Sequence, residues 1–160
     1  MGELLTEEVF SAPRWQKITY RILSILVFVL GISVLLIKNA GWLLFLAPLI
    51  FFIAVSMFLF TRQKLIISND GIRFVGGFKK YIISWNDMTK VDMVRLGKYK
   101  TSTATIYYSG GKVDLNKGFY LEPQFKRILS LLEAKTNPEI FTKRYWETRS
   151  QISHGYGLEK

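Results

Sequence analysis

The sequence predicts an α-helical transmembrane hairpin joined to an α+β domain, an antiparallel β sandwich or barrel of six to seven strands closed by a C-terminal helix. Three observations predict it. Residues 22–60 carry a single charge, Lys38, which sits between two long apolar runs. Short β-rich segments separated by Gly, Asn and Asp turns recur from Lys64 to Leu121. Beyond them, Phe125, Ile128, Leu129 and Leu132 fall at i, i+3, i+4 and i+7, the spacing of one helical face.

The apolar runs come first. Crossing a bilayer takes about 20 apolar residues in a helix. Ala40–Phe60 meets that length with no ionisable residue, and Ile22–Ile37 reaches it once Ile18–Arg21 is added. A signal peptide is disfavoured, because the segment ahead of the first run is long and carries Glu3, Glu7 and Glu8, and no small-residue cleavage site follows. Lys38, Asn39 and Gly41 supply the turn of a hairpin. Arg14, Lys17 and Arg21 precede it and Arg62 and Lys64 follow it, against Lys38 alone in the loop. The positive-inside bias then puts both termini in the cytoplasm of an inner or plasma membrane. Pro48 is expected to kink the second helix, and Gly31 and Ser33 to allow close helix contact. Neither run holds a charged group, which argues against an ion or proton path.

The strands follow. Lys64–Ser68 is a short β-rich run, and Asn69-Asp70-Gly71 is a turn signal of type I′. Ile72–Val75, Tyr81–Trp85, Met88–Leu96, Thr101–Tyr108 and Lys112–Asn116 read as further strands, with Phe119–Leu121 as a last short one. Gly76-Gly77, Asn86-Asp87, Gly97 and Ser109-Gly110-Gly111 separate them. The Thr-rich start of the 101–108 strand suits an exposed edge, open to strand addition. Pro123 suits the first turn of the closing helix. Asn137-Pro138 ends it, and Ile140–Arg149 continues as a helix with Phe141 and Tyr145 on one side. The expected organisation is therefore 1–17 an N-terminal cytoplasmic segment, 18–61 the hairpin, 62–136 the β-rich domain, and 137–160 a C-terminal helix and tail.

Leu65-Ile-Ile-Ser-Asn-Asp-Gly-Ile-Arg-Phe74, a Gly-Gly turn, and Ile83-Ser-Trp-Asn-Asp-Met-Thr-Lys-Val91 carry a resemblance. This stretch, with the apolar pair ahead of it, resembles the bacterial pleckstrin-homology-like (PH-like) membrane proteins with two N-terminal transmembrane helices. Met88 stands where those proteins usually have Ile. The resemblance runs from about Arg21 to Thr136 and implies a PH-like sandwich, with Trp85 packed where two strands meet the helix. Eukaryotic relatives of the fold bind phosphoinositides through basic residues around the first hairpin loop. Taken as Ser68–Gly71, that loop is tight and holds an acid, so this property does not carry over.

The composition narrows the chemistry. The chain of 160 residues has no cysteine, and its one histidine, His154, lies in the tail. Disulfides, thiolate sites, cysteine nucleophiles and histidine-based metal or triad chemistry are thereby excluded. Asp87 and Asp92, five apart on strand-like sequence, do not pair on one face. Gly97-Lys98 fails the spacing of a phosphate loop, and no G-x-G-x-x-G occurs. Neither an enzyme nor a cofactor is expected. Tyr107, Tyr108, Tyr145 and Trp146 read as packing residues rather than a ligand cage.

From Arg62 onward 18 basic residues face 9 acidic ones. Lys79-Lys80, the group Arg95, Lys98 and Lys100 around Tyr99, and Lys112 with Lys117 are the candidate contacts with a lipid surface or partner, and Phe78 and Tyr99 are candidate inserting side chains. The other reading of these residues is a set of solvated hairpin tips. Nucleic acid is disfavoured by the tether and by the lack of an RNA-binding signature.

The sequence thus reads as a non-enzymatic, membrane-anchored binding module that engages anionic headgroups, a protein partner or a second copy on the cytoplasmic face. The alternative is a small accessory or immunity-type membrane protein acting through its helices. Replacing Lys98 and Lys100 with Glu is expected to weaken binding to anionic liposomes at low salt and to matter less at high salt; unchanged binding at low salt leaves only the solvated-tip reading.

Overall fold

The computed structural model describes residues 7–37, 41–76, 80–96 and 101–153. The chain divides into two compact units. One comprises Met1–Phe10, Ile66–Arg73 and Tyr81–Lys160, the other Ser11–Leu65 and Phe74–Lys80.

The second unit holds the apolar helices. α1 spans Arg14–Leu36. A 3₁₀ segment, Gly41–Leu46, leads into α2, Ala47–Phe60. Both α1 and the continuous stretch Gly41–Phe60 are long and apolar enough to cross a membrane. Pro48 does not kink α2. It sits in the first turn, where its missing N–H costs nothing, and the change of helix type falls just ahead of it. α1 and α2 meet through small residues. A Cβ on Gly31 would lie 2.9 Å from Cε1 of Phe51, so a larger residue there would have to push the Phe51 ring aside. The buried Ser24 hydroxyl donates to the Ala54 carbonyl at 2.9 Å. The rings of Phe28 and Phe51 meet edge to face, and those of Tyr20 and Phe60 pack 4.9 Å apart. Ser33 plays no such part, as it is exposed and its hydroxyl returns to the Val29 carbonyl of its own helix.

Among the described residues seven strands form two antiparallel sheets rather than a closed barrel. β1 (Glu8–Ser11), β2 (Lys64–Ile67), β3 (Gly71–Val75) and β4 (Tyr81–Ser84) make one, in that order. β5 (Met88–Leu96), β6 (Thr101–Tyr108) and β7 (Gly111–Asn116) make the other. β1 lies ahead of the apolar helices, so α1 and α2 occupy the chain between the first two strands of the four-stranded sheet. The N-terminal strand is fastened by ion pairs from Glu7 to Arg73 and from Glu8 to Arg127. The bidentate hydrogen bonding of Arg127 holds the Glu8 carboxyl below its ordinary range.

The Ser68–Gly71 turn is not type I′. Neither Asn69 nor Asp70 has a positive φ, and only Gly71 does, at +154°. The Ser68 N–H donates to the Gly71 carbonyl and the Trp85 N–H to the Asp70 carbonyl. Glycine is required here by proximity, since a Cβ would run into the Ile83 carbonyl oxygen. Trp85 lies outside β4, in a 3₁₀ turn, Trp85–Asp87. It is half-buried rather than a core side chain, and its indole N–H donates to the Ser68 carbonyl at 3.2 Å.

In the second sheet, alternation sorts one face into the core. Val91, Met93, Ala104, Ile106 and Leu115 are fully buried, with Val113 nearly so. α3 (Lys117–Lys135) contributes its predicted stripe, and Phe125, Ile128, Leu129 and Leu132 are all fully buried. Phe119–Leu121 is not a strand. It belongs to the opening turn of α3, which breaks at Leu121 (φ 60°, ψ 166°), and Pro123 starts the helix again two residues later. β6 is not an edge either; it is central, paired with β5 on one side and β7 on the other. Strand addition there is closed off, because both its hydrogen-bonding edges are used.

The edges of this sheet are β5 and β7, and β5 is partly covered by the C-terminal segment. Phe141 bridges Val91, and the Thr142 N–H donates to the Val91 carbonyl at 3.0 Å. The Asp92 carboxylate accepts from the Thr142 hydroxyl at 2.6 Å and from the Met93 N–H at 2.9 Å. Thr142 in turn caps α4 (Lys143–Ser153) through the Tyr145 N–H. Tyr145 is fully buried, and its hydroxyl donates to Glu133, which also accepts from Arg149. Trp146 is not core, being 44% exposed. His154 lies outside the described residues.

Gly71→Ala is expected to destabilise the chain by on the order of 2 kcal/mol or more, from strain plus backbone collision. Thermal unfolding in a zwitterionic micelle reads this out, and an unchanged midpoint would refute the close approach.

Candidate functional site

The sequence singles out nine positions. Five of them, Phe78, Lys79, Lys98, Tyr99 and Lys100, lie outside the described residues. Lys80 is exposed immediately ahead of β4. The other three fall on the second sheet and its helix, at opposite ends. Sheet register explains the division.

Lys112 lies opposite Tyr107, and Tyr107 lies opposite Lys90. Directly opposed residues share a face, so Lys90, Tyr107 and Lys112 form one row across three strands. The Lys90 ammonium stands 5.4 Å from the centre of the Tyr107 ring, a cation–π contact. Both lysines are exposed. The next row on this face is acidic and polar. There Asp92 and Asp114 flank Thr105, whose hydroxyl donates to Asp114 at 2.7 Å. The positive row is thus a local feature at one end of a mixed face. Lys90 was not a sequence candidate. It sits mid-strand, and only the pairing of β5 with β6 and β7 reveals its company.

Arg95 and Lys117 lie at the other end. Arg95 is opposite Ser102, on the face that carries Val91 and Met93 into the core. It is half-buried. Lys117 opens α3 rather than flanking a hairpin, and its ammonium lies 3.0 Å from the Glu122 carboxylate. Lys126 reaches the same carboxylate at 2.9 Å. Hydrogen bonds from Lys126 and Lys117 hold the Glu122 carboxyl below its ordinary range.

The titratable groups of the core are quiet. Burial pushes the Tyr120 hydroxyl well up, and burial together with the Glu133 carboxylate does the same at Tyr145. Both phenols therefore stay protonated at neutral pH. Among the described residues no three His, Asp or Glu side chains gather as a metal site.

The sequence model of the bacterial PH domain matches residues 4–143. The chain belongs to that family. The matched span starts ahead of β1, runs through both apolar helices and all seven strands, and ends where α4 begins. No curated protein and no solved structure matches the chain. Membership corrects one inference from the sequence. With β1 in place, the first interstrand connection of this PH domain is not Ser68–Gly71, which joins β2 and β3, but residues 12–63, the apolar helices themselves.

Reversing the row with Lys90→Glu and Lys112→Glu is expected to lower affinity for anionic vesicles several-fold at low ionic strength and little at high. Co-sedimentation at two salt concentrations measures it, and equal losses at both would remove the row from any electrostatic role.

Proposed function

We propose that this bacterial PH domain protein is a non-enzymatic binding module, anchored in the inner or plasma membrane by the hairpin of residues 18–61. Its PH domain engages an anionic lipid surface or a protein partner on the cytoplasmic face. The observation that carries the anchor is the direction of the apolar side chains. In α1 only Ser24 and Gly31 are buried, and in α2 only Ala47 and Ala54. Leu26, Leu30, Leu36, Phe52 and Phe58 all face outward. A soluble helix pair buries its large apolar side chains against something. Here small residues, Ser24 and two ring pairs make the contact, and most of the other large side chains form an outward belt suited to hydrocarbon.

Chain connectivity supports the same topology. β1 and β2 are neighbours in one sheet, and everything between them includes both helices. Spanning helices in that position must bring the chain back to the side it left, which two crossings do and one does not. The basic residues Arg14, Lys17, Arg21, Arg62 and Lys64 at those ends favour the cytoplasmic side. The excess of basic over acidic residues beyond Arg62 then suits a surface held near anionic headgroups.

The absence of cysteine makes this directly testable, since an introduced thiol reports alone. Lys38→Cys is expected to react with a membrane-impermeant maleimide in intact spheroplasts, and Ser109→Cys only after permeabilisation. The protein is expected to stay with the membrane pellet in alkaline carbonate. Release into the supernatant, or the opposite labelling pattern, would overturn the reading.

A further inference from the structure

The three-stranded sheet treats its two edges differently. The β5 edge is met by Phe141 and Thr142. On the far side of β7 no strand or bridge pairs among the described residues. A bare edge is a row of unanswered N–H and C=O groups, and proteins usually blunt it. The β6–β7 register shows which groups these are. Tyr108 opposes Gly111 across the two-residue turn Ser109-Gly110, and a turn of that length closes on a hydrogen-bonded pair. Alternation then makes Val113 and Leu115 the residues that bond to β6, and it turns the backbone groups of Lys112, Asp114 and Asn116 outward. All three residues are exposed.

The side chains on that edge complement themselves. Lys112 and Asp114 lie two apart, so they share the outer face. Among the described residues neither forms an ion pair. When two β7 strands run antiparallel about a two-fold axis at Val113, Lys112 opposes Asp114 of the second copy in both directions. Opposite charges directly across a strand pair stabilise it. These are also residues whose N–H and C=O point outward, so one register answers backbone and side chains together. A slip of two residues either way sets Lys112 on Lys112 or Asp114 on Asp114. A slip of one turns a core face to solvent. Leu115 falls opposite Gly111, where nothing lies within 4 Å of an added Cβ. The pairing also joins rows that each copy keeps apart. Lys90–Tyr107–Lys112 stands beside Asp92–Thr105–Asp114 within one sheet. Across the axis, the basic row of each copy runs on into the acidic row of the other.

We propose that this protein forms a two-fold dimer by antiparallel pairing of β7 with β7 of a second copy, making one six-stranded sheet. Main-chain hydrogen bonds hold the strands together, and the two Lys112–Asp114 pairs select the register. An isologous contact uses the same edge of both copies, so this pairing stops at two. The dimer goes beyond the binding-module reading and stands without it, since it asks nothing of a lipid or of another protein.

Sedimentation equilibrium of the full chain in neutral detergent micelles is expected to give the mass of two chains. Lys112→Glu and Asp114→Lys, each alone, set like charges opposite one another and are expected to weaken the dimer several-fold at low salt. The chain carrying both exchanges restores opposite charges, and its dimer is expected to return to near wild-type strength. That recovery separates pairing from damage to the fold, which a second substitution would only deepen. Thiols give an independent readout, since the chain has no cysteine. Residues of a hydrogen-bonded pair stand about 5.5 Å apart at Cα, within disulfide reach, whereas diagonal neighbours stand about 7–8 Å apart. Mixed Lys112→Cys and Asp114→Cys chains are therefore expected to cross-link to each other faster than either does to itself. Four results each overturn the β7 interface: a monomeric wild type, a dimer indifferent to the single exchanges, a double exchange no stronger than the singles, or cross-linking no faster in the mixture.

Discussion

The pairing of β1 with β2 is the constraint on which the rest depends. Glu8–Ser11 is a four-residue strand, too short to hold itself in place, and its partner arrives only after both apolar helices have been made. The Glu7–Arg73 and Glu8–Arg127 ion pairs supply what the short ladder lacks, tying the strand to β3 and to α3. Both pairs are solvent-facing, so each contributes modestly, and their value lies in fixing register rather than in bulk stability. The family match, which opens at residue 4, includes this strand in the shared fold. The matched span begins before the apolar helices and finishes after them.

Most of the architecture was legible in the sequence because it is written in local periodicity. The apolar runs, the six strands from Lys64 to Asn116 and the Phe125–Leu132 stripe each declare themselves within a dozen residues. What escaped was non-local. β1 has one buried apolar residue among its four, Phe10, and no turn leading to its partner, so nothing nearby marks it as a strand. Missing it shifted the identity of the first interstrand connection. The Thr-rich sequence of β6 suggested an edge by composition, whereas its position between β5 and β7 follows from pairing alone. The break at Leu121 was hidden for a different reason. A positive φ at leucine has no propensity signal, and Pro123 marked the restart but not the kink.

The candidate residues show the same split. Arg95, Lys112 and Lys117 were found as members of basic clusters, a one-dimensional criterion. Register separates them into two environments. Lys112 joins Lys90 and Tyr107 on an exposed face, while Arg95 turns toward the core and Lys117 is drawn to Glu122. Sequence clustering recognises charge but not company. A mid-strand lysine such as Lys90 gains its neighbours from strands that are close in space, and an arginine gains an unanswered donor from burial that composition does not register.

The covering of β5 by Phe141 and Thr142 has a bearing on crowding. Confinement to a membrane raises the encounter rate of neighbouring molecules, because they share a plane and present the same side to one another. In that setting a bare strand edge becomes a template for stacking one copy on the next. Here the Val91 carbonyl is already occupied by Thr142, and the Met93 N–H is turned back onto Asp92. The C-terminal segment thus shields this stretch of β5 from pairing with the strand of a second copy.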